Sequence, residues 1–153
     1  MSHPEKFSEP LTGFDNYVFY LEGDAIGRGC FGEIWKAVCT SHPKIQPLVC
    51  KCFNGERFVE ESKYPEEEVK QKIVREIWAN NQLRNLPNFV TIYDYAVEGL
   101  NYYILMDFIN GPTLDVLYKF KIKNACTDEE RLEVKKIAWK ILKQGSEALK
   151  ILA

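Results

Sequence analysis

The sequence predicts an α+β domain: an antiparallel five-stranded sheet with one helix inserted, followed by further helices. Three observations predict it. Three aromatic and β-branched runs come first. An amphipathic helix signal then separates them from two more such runs. A long stripe of apolar residues, at steps of three and four, comes last.

Residues 1–16 form a polar lead-in punctuated by Pro4, Pro10 and Gly13. Residues 17–26 and 34–39 read as strands around a glycine-rich turn at 27–32, and residues 48–53 as a third strand. Pro65 suits a first helical position, and Glu66, Glu67 and Glu68 complement the positive end of the helix dipole. Val69, Ile73 and Ile77 then recur every four residues, and the helix should fade at Leu86-Pro87. Residues 89–97 and 101–109 read as a hairpin turning at Glu98-Gly99. Asn110-Gly111-Pro112 breaks the chain before a short helix over 114–120. Thr127 and Glu130 frame a capping box that opens the longest helix. Its stripe is Val134, Ile137, Ala138, Ile141, Leu142, Gly145, Ala148, Leu149 and Leu152.

The 153 residues can bury one substantial core and are too few for two full-sized domains. Twenty basic against 22 acidic side chains leave a net charge of −2, which argues against a nucleic-acid partner. No apolar run approaches the roughly 18 residues of a membrane helix, and neither a secretory h-region nor a lipidation signal is present. An intracellular location, cytoplasmic or nuclear, is the expectation. Cys30, Cys39, Cys50, Cys52 and Cys126 are odd in number, contain no C-x-x-C and have only His3 and His42 as companions. They read as free thiols, with no metal site.

Gly27-Arg28-Gly29-Cys30-Phe31-Gly32 spells G-x-G-x-x-G. Glycines let backbone N–H groups approach phosphate oxygens with no Cβ in the way; the plain alternative is a tight β-turn. A Walker A loop needs Lys and Ser/Thr after its last glycine, and here Glu33-Ile34 follow. A dinucleotide fold needs a helix there, and Ile34-Trp35-Lys36-Ala37-Val38 is strand-like. A glycine hairpin lying over ATP, with strand on both sides, fits.

That hairpin demands a Lys on the next strand to meet the phosphates and a Glu on the following helix to hold it. Lys51 lies among Val49, Cys50, Cys52 and Phe53, where a lone charge needs a partner. Glu76 shares the inward helix face with Val69 and Ile73. Glu68 is the rival, although acidic residues of a first turn already have a dipole role.

At this point the sequence resembles the eukaryotic-type protein kinase family. The resemblance is carried by residues 26–37, by Val49-Cys50-Lys51, by Arg75-Glu76-Ile77, by Pro87-Asn88-Phe89-Val90 and by residues 104–111. It implies a lead-in at 1–16 and an N-lobe at 17–109, with the αC helix over about 65–86. The hinge, αD, αE and an incomplete C-lobe would follow at 110–153. It implies that Ile26 and Ile34 sandwich adenine and that Met106 is the gatekeeper. The Asp107 C=O and Ile109 N–H would bind the adenine edge, and Thr113 would lie near the ribose. Cys30 would sit at the loop tip. Together with Gly27, Arg28, Gly29, Phe31, Gly32, Val49 and Lys51, these are the nucleotide-binding candidates, and ATP is the implied cofactor.

Two positions depart from the family pattern. Val49 stands where Ala is usual, on the same strand face as Lys51, and its extra methyls crowd the adenine. Pro112 replaces a frequent Gly after the hinge. The residues contain no H-x-D, no D-F-G and no A-P-E, the segments that supply the family's base and Mg²⁺ ligands. The implied function is the ATP-binding portion of a protein kinase, without phosphotransfer by this chain alone. Mg²⁺ would enter only with a C-lobe. The alternative is a truncated kinase-like regulator, a pseudokinase, docking on another kinase or on a missing C-lobe through the last helix's apolar stripe.

Overall fold

The computed structural model describes residues 9–29, 32–62, 64–83, 86 and 89–152. The chain divides into two compact units, Met1–Phe108 and Ile109–Ala153.

The first unit is built on an antiparallel sheet. β2 (Val18–Gly29) pairs with β3 (Gly32–Cys39), and β3 with β4 (Leu48–Asn54). The chain then leaves the sheet and returns as the hairpin of β5 (Ile92–Glu98) and β6 (Asn101–Asp107), and β6 rather than β5 pairs with β4. Period-two alternation sorts β4 between two faces. Leu48, Cys50 and Cys52 enter a core with Phe19, Trp35, Ala37, Tyr103 and Leu105. Phe53 turns the other way, to Val69 and Ile73. Burial pushes the Cys50 thiol well above its ordinary pKa, and neighbouring Cys52 adds to the effect.

The sheet has six strands, not the five expected. The extra one is β1 (Leu11–Thr12), within the lead-in, paired through Leu11↔Phe19 and Thr12↔Val18. Two residues have no strand signal of their own; a carboxylate from the opposite edge holds them. Asp94 on β5 is 1% exposed, and its oxygens accept the N–H groups of Asp15, Tyr17 and Tyr95 at 3.0, 3.1 and 2.7 Å. The Phe14 N–H donates to the Tyr95 carbonyl. Gly13 is a glycine because a Cβ there would run into the Asp94 carboxylate. The two sheet edges thereby meet at this end of the unit.

A helix not foreseen, α1 (Gly55–Ser62), follows β4 directly. The Asn54 side chain accepts the Arg57 N–H at 2.9 Å, an N-cap bond. A side chain at Gly55 would strike the Leu100 carbonyl. The Asn-Gly pair is therefore a helix start. α2 (Glu66–Leu83) is the expected amphipathic helix and ends before Leu86. β5 begins only at Ile92, three residues later than the apolar run suggests. β6 stops at Asp107: the Phe108 N–H still donates to the Pro47 carbonyl, but Pro47 has no N–H to return the bond.

In the second unit, α3 (Leu114–Asn124) runs four residues further than expected, and α4 is Asp128–Leu152. The capping box forms: Thr127 Oγ1 accepts the Glu130 N–H at 3.1 Å, and the Glu130 carboxylate accepts the N–H groups of Thr127 and Cys126. These bonds hold the Glu130 carboxyl below its ordinary pKa. Of the stripe, Val134 is buried and Ile137, Ala138 and Ile141 are half-buried, whereas Leu142 is exposed. Ala148, Leu149 and Leu152 lie beyond the described side chains.

Candidate functional site

The site grows from the register of four strands. Gly27 lies opposite Ile34, Ile34 opposite Lys51, and Lys51 opposite Ile104. One residue-pair further along, Val49 faces Met106. Directly paired residues share a sheet face, as do residues two apart. Ile34, Val49, Lys51, Ile104 and Met106 thus occupy one face, and Gly27 stands two strands from Lys51 along the same register line. Ile26 is 47% exposed beside the irregularity that follows Glu22.

The lysine has its partner. Lys51 Nζ forms a hydrogen-bonded ion pair with Glu76 Oε1 of α2. Both side chains are about one-third exposed, so the pair lies at the rim of the sheet and stays open to water. Glu68, the rival, sits in the first turn of α2 and is exposed. Behind the pair, between α2 and the sheet, lies a narrow recess lined by Phe53, Ile73, Ile77, Tyr95, Tyr102, Tyr103 and Ile104 as well as the pair. Its lining is mainly hydrocarbon and aromatic. It keeps one side of the ion pair dry and offers little to a phosphate.

The loop's glycines separate into two kinds. Gly32 has φ +152°, and a Cβ on it would collide with the Cys52 carbonyl. The fold demands that glycine. A Cβ at Gly29 meets nothing within 4 Å, and one at Gly27 makes only ordinary contact with Ile34 at 3.7 Å. Packing explains neither. Bare backbone beside open space is what close approach by a phosphate requires. Arg28 is tied down by Glu33 at 3.2 Å, and the same carboxylate accepts Trp35 Nε1–H. Cys30 and Phe31 lie outside the described residues, as do Pro87 and Asn88.

The edge strand end is held by side-chain bonds. Asp107 accepts the Thr91 N–H at 3.2 Å and the Tyr93 hydroxyl at 2.7 Å, while its own N–H donates to the Thr91 carbonyl. Burial, reinforced by Asp107, pushes the Tyr93 hydroxyl up to about 12. Met106 packs beside Ile92, Tyr95 and Ile104. Ile109 and Thr113 fall in the second unit, where Thr113 is the N-cap of α3 and accepts the Val116 N–H.

Sequence reasoning missed Asp94 and α1. An acidic residue in the middle of an apolar strand was the available signal for the first. Among the described residues no three His, Cys, Asp or Glu side chains converge, and no helix is long and apolar enough to cross a membrane.

A family model described as the protein kinase domain matches residues 20–150. A search of curated proteins returns no match. Among solved structures, a crystal structure of Rad53 1–466 in complex with AMP-PNP is similar, with TM-score 0.55 and 19% identity over 78% of this chain. The chain spans 28% of that structure's chain, and the likeness is one of fold.

Proposed function

This chain belongs to the protein kinase domain family, and from that premise we propose that its sheet unit binds ATP. The phosphates lie between the 27–32 loop and Lys51, and the base lies against Ile34, Val49 and Met106. The observation that carries this reading is the Lys51–Glu76 ion pair, in register through Ile34 with Gly27, together with two glycines, Gly27 and Gly29, that packing does not require. Glu76 holds the ammonium in place, so little side-chain entropy is lost when a phosphate arrives.

The residues fit the nucleotide better than they fit a metal. Open backbone at Gly29 makes a cradle, whereas among the described residues no cluster of three acidic, His or Cys groups forms around Glu76 to hold Mg²⁺. The chain's own residues supply binding and charge neutralisation. The 153 residues include no H-x-D or D-F-G segment to place a base or metal ligand, so binding without phosphotransfer is the expected behaviour. Isothermal titration of the chain with ATP tests it. Measurable binding that Lys51→Met weakens about tenfold or more, with adenosine binding little changed, is the expected result. Equal ATP binding by parent and Lys51→Met sinks it.

A second reading, a kinase-like regulator that docks through its last helix, is favoured by Trp139 and Leu142 of α4, which are 72% and 65% exposed. Co-purification with a full kinase that Leu142→Asp abolishes would support it.

A further inference from the structure

The ion pair exists only where α2 stands correctly. α2 meets the sheet through Val69, Ile73 and Ile77 and through the Tyr95 hydroxyl, which donates to Asn81 Oδ1 at 3.0 Å. Its buried residues are Val69 and Ile73 alone. Among the described residues, its backbone runs close to α1 over a longer stretch than to any strand. α1 packs beside the contact of α2 with the sheet. Its Phe58 ring packs tilted against Phe53 at 5.8 Å; Phe53 is two residues beyond Lys51 on β4 and on the same face. The other side of that ring lies nearly parallel to Tyr64, at 5.7 Å and 7°. Lys72 of α2 caps the aromatic pair, with Nζ 4.0 Å from the Tyr64 centroid and 5.6 Å from the Phe58 centroid. Lys72 stands one helical turn before Glu76. An unbroken run of contacts therefore leads from the strand that carries Lys51, through Phe53 and Phe58, to Lys72 and the turn that carries Glu76.

From this we infer that Phe58 and Lys72 are positioning residues for Glu76, a cation–aromatic clasp that holds α2 where its glutamate reaches Lys51. The clasp touches no part of the nucleotide site, and its effect on ATP rests on the reading given above. An exposed cation–π contact is modest in water, so the clasp biases the position of α2 by a factor of about two to five.

The test reads the Lys51 amine directly, without nucleotide. Brief acetylation of the folded chain with acetic anhydride, followed by peptide mass spectrometry, gives the labelling of Lys51 relative to Lys36, an exposed lysine on β3. Lys72→Met, a change on the exposed side of α2, is expected to raise that ratio about two- to fivefold, and Phe58→Ala at least as much. Lys72→Arg keeps the cation over the rings and should leave the ratio at the parent's value. In a Glu76→Gln background the ratio is already high, and neither variant should raise it further. An unchanged ratio in Lys72→Met, or an equal rise in the Glu76→Gln background, overturns the inference. ATP titration then separates the two readings. A parent chain that binds no ATP while Lys51 labelling shifts as described refutes the nucleotide site and supports the clasp. ATP binding that Lys72→Met weakens two- to fivefold and Lys72→Arg leaves alone supports both.

Discussion

Asp94 Oδ2 accepts the backbone N–H of Tyr17 at 3.1 Å, and this bond joins residues 77 apart across the two edges of one sheet. The other oxygen serves Asp15 and Tyr95. Removing the carboxylate leaves three N–H groups without their acceptor in a largely dry place. Asp94→Ala is expected to cost about 3 kcal/mol, read from urea unfolding curves. Gly13→Ala should be destabilising as well, because its methyl group displaces the same carboxylate. An Asp94→Ala chain as stable as the parent would contradict this account of the sixth strand.

The glycines of the loop answer to different causes, and substitution separates them. Gly29→Ala should leave the melting temperature nearly unchanged, within about 0.5 kcal/mol of stability, while weakening ATP binding severalfold. Gly32→Ala should destabilise the fold by about 2 kcal/mol, because both its φ and the Cys52 carbonyl oppose a side chain. Thermal melts with and without ATP measure both. The reverse ranking would remove the argument from open backbone.

Salt distinguishes a phosphate contact from a base contact. The Lys51–Glu76 pair is open to water, so it adds little to folding stability, at most about 1 kcal/mol. Its attraction for a triphosphate is screened likewise. ATP affinity is expected to fall steadily from low to high ionic strength, and adenosine affinity to stay level. Parallel titrations show whether the two ligands diverge.

Acid should loosen the start of α4. Glu130 has its folded pKa below the ordinary carboxylate value because it accepts the Thr127 and Cys126 N–H groups. A depressed folded pKa means that the contribution is fully present above the unfolded value, about 4.3, and is lost as pH falls through the folded one. Helicity followed by circular dichroism should decline in that acid range in the parent, and less steeply in Glu130→Gln. An NMR titration placing the Glu130 carboxyl at or above the ordinary value would refute the capping geometry.

Most of the site-bearing face could be read from the chain because strand alternation is a local rule. Val49 and Lys51 fall on one side of β4 whatever else happens, and Glu76 follows Val69 and Ile73 around one helix face. The parts that escaped are those set by distant groups. Leu11 and Thr12 lie on the sheet edge because Leu11 is buried in the core and Asp94, more than 80 positions away, receives the turn beside them. Gly55 opens a helix capped by Asn54, and it must be glycine because the distant Leu100 carbonyl excludes a side chain there. Phe89 and Ile109 look like strand residues, yet the ladder closes inside them, where Asp107 gathers Thr91 and Tyr93. In the glycine motif, the pattern of letters is the same for Gly29 and Gly32, and only the neighbouring carbonyl tells them apart.

β4 is bonded along both flanks, to β3 on one side and β6 on the other. Dragging Lys51 out of place would rupture two hydrogen-bond ladders together, while swinging α2 ruptures none. The lysine is the fixed jaw of this vice and the glutamate the sliding one. A shift of the helix therefore loosens the grip more cheaply than any shift of the strand that carries the lysine.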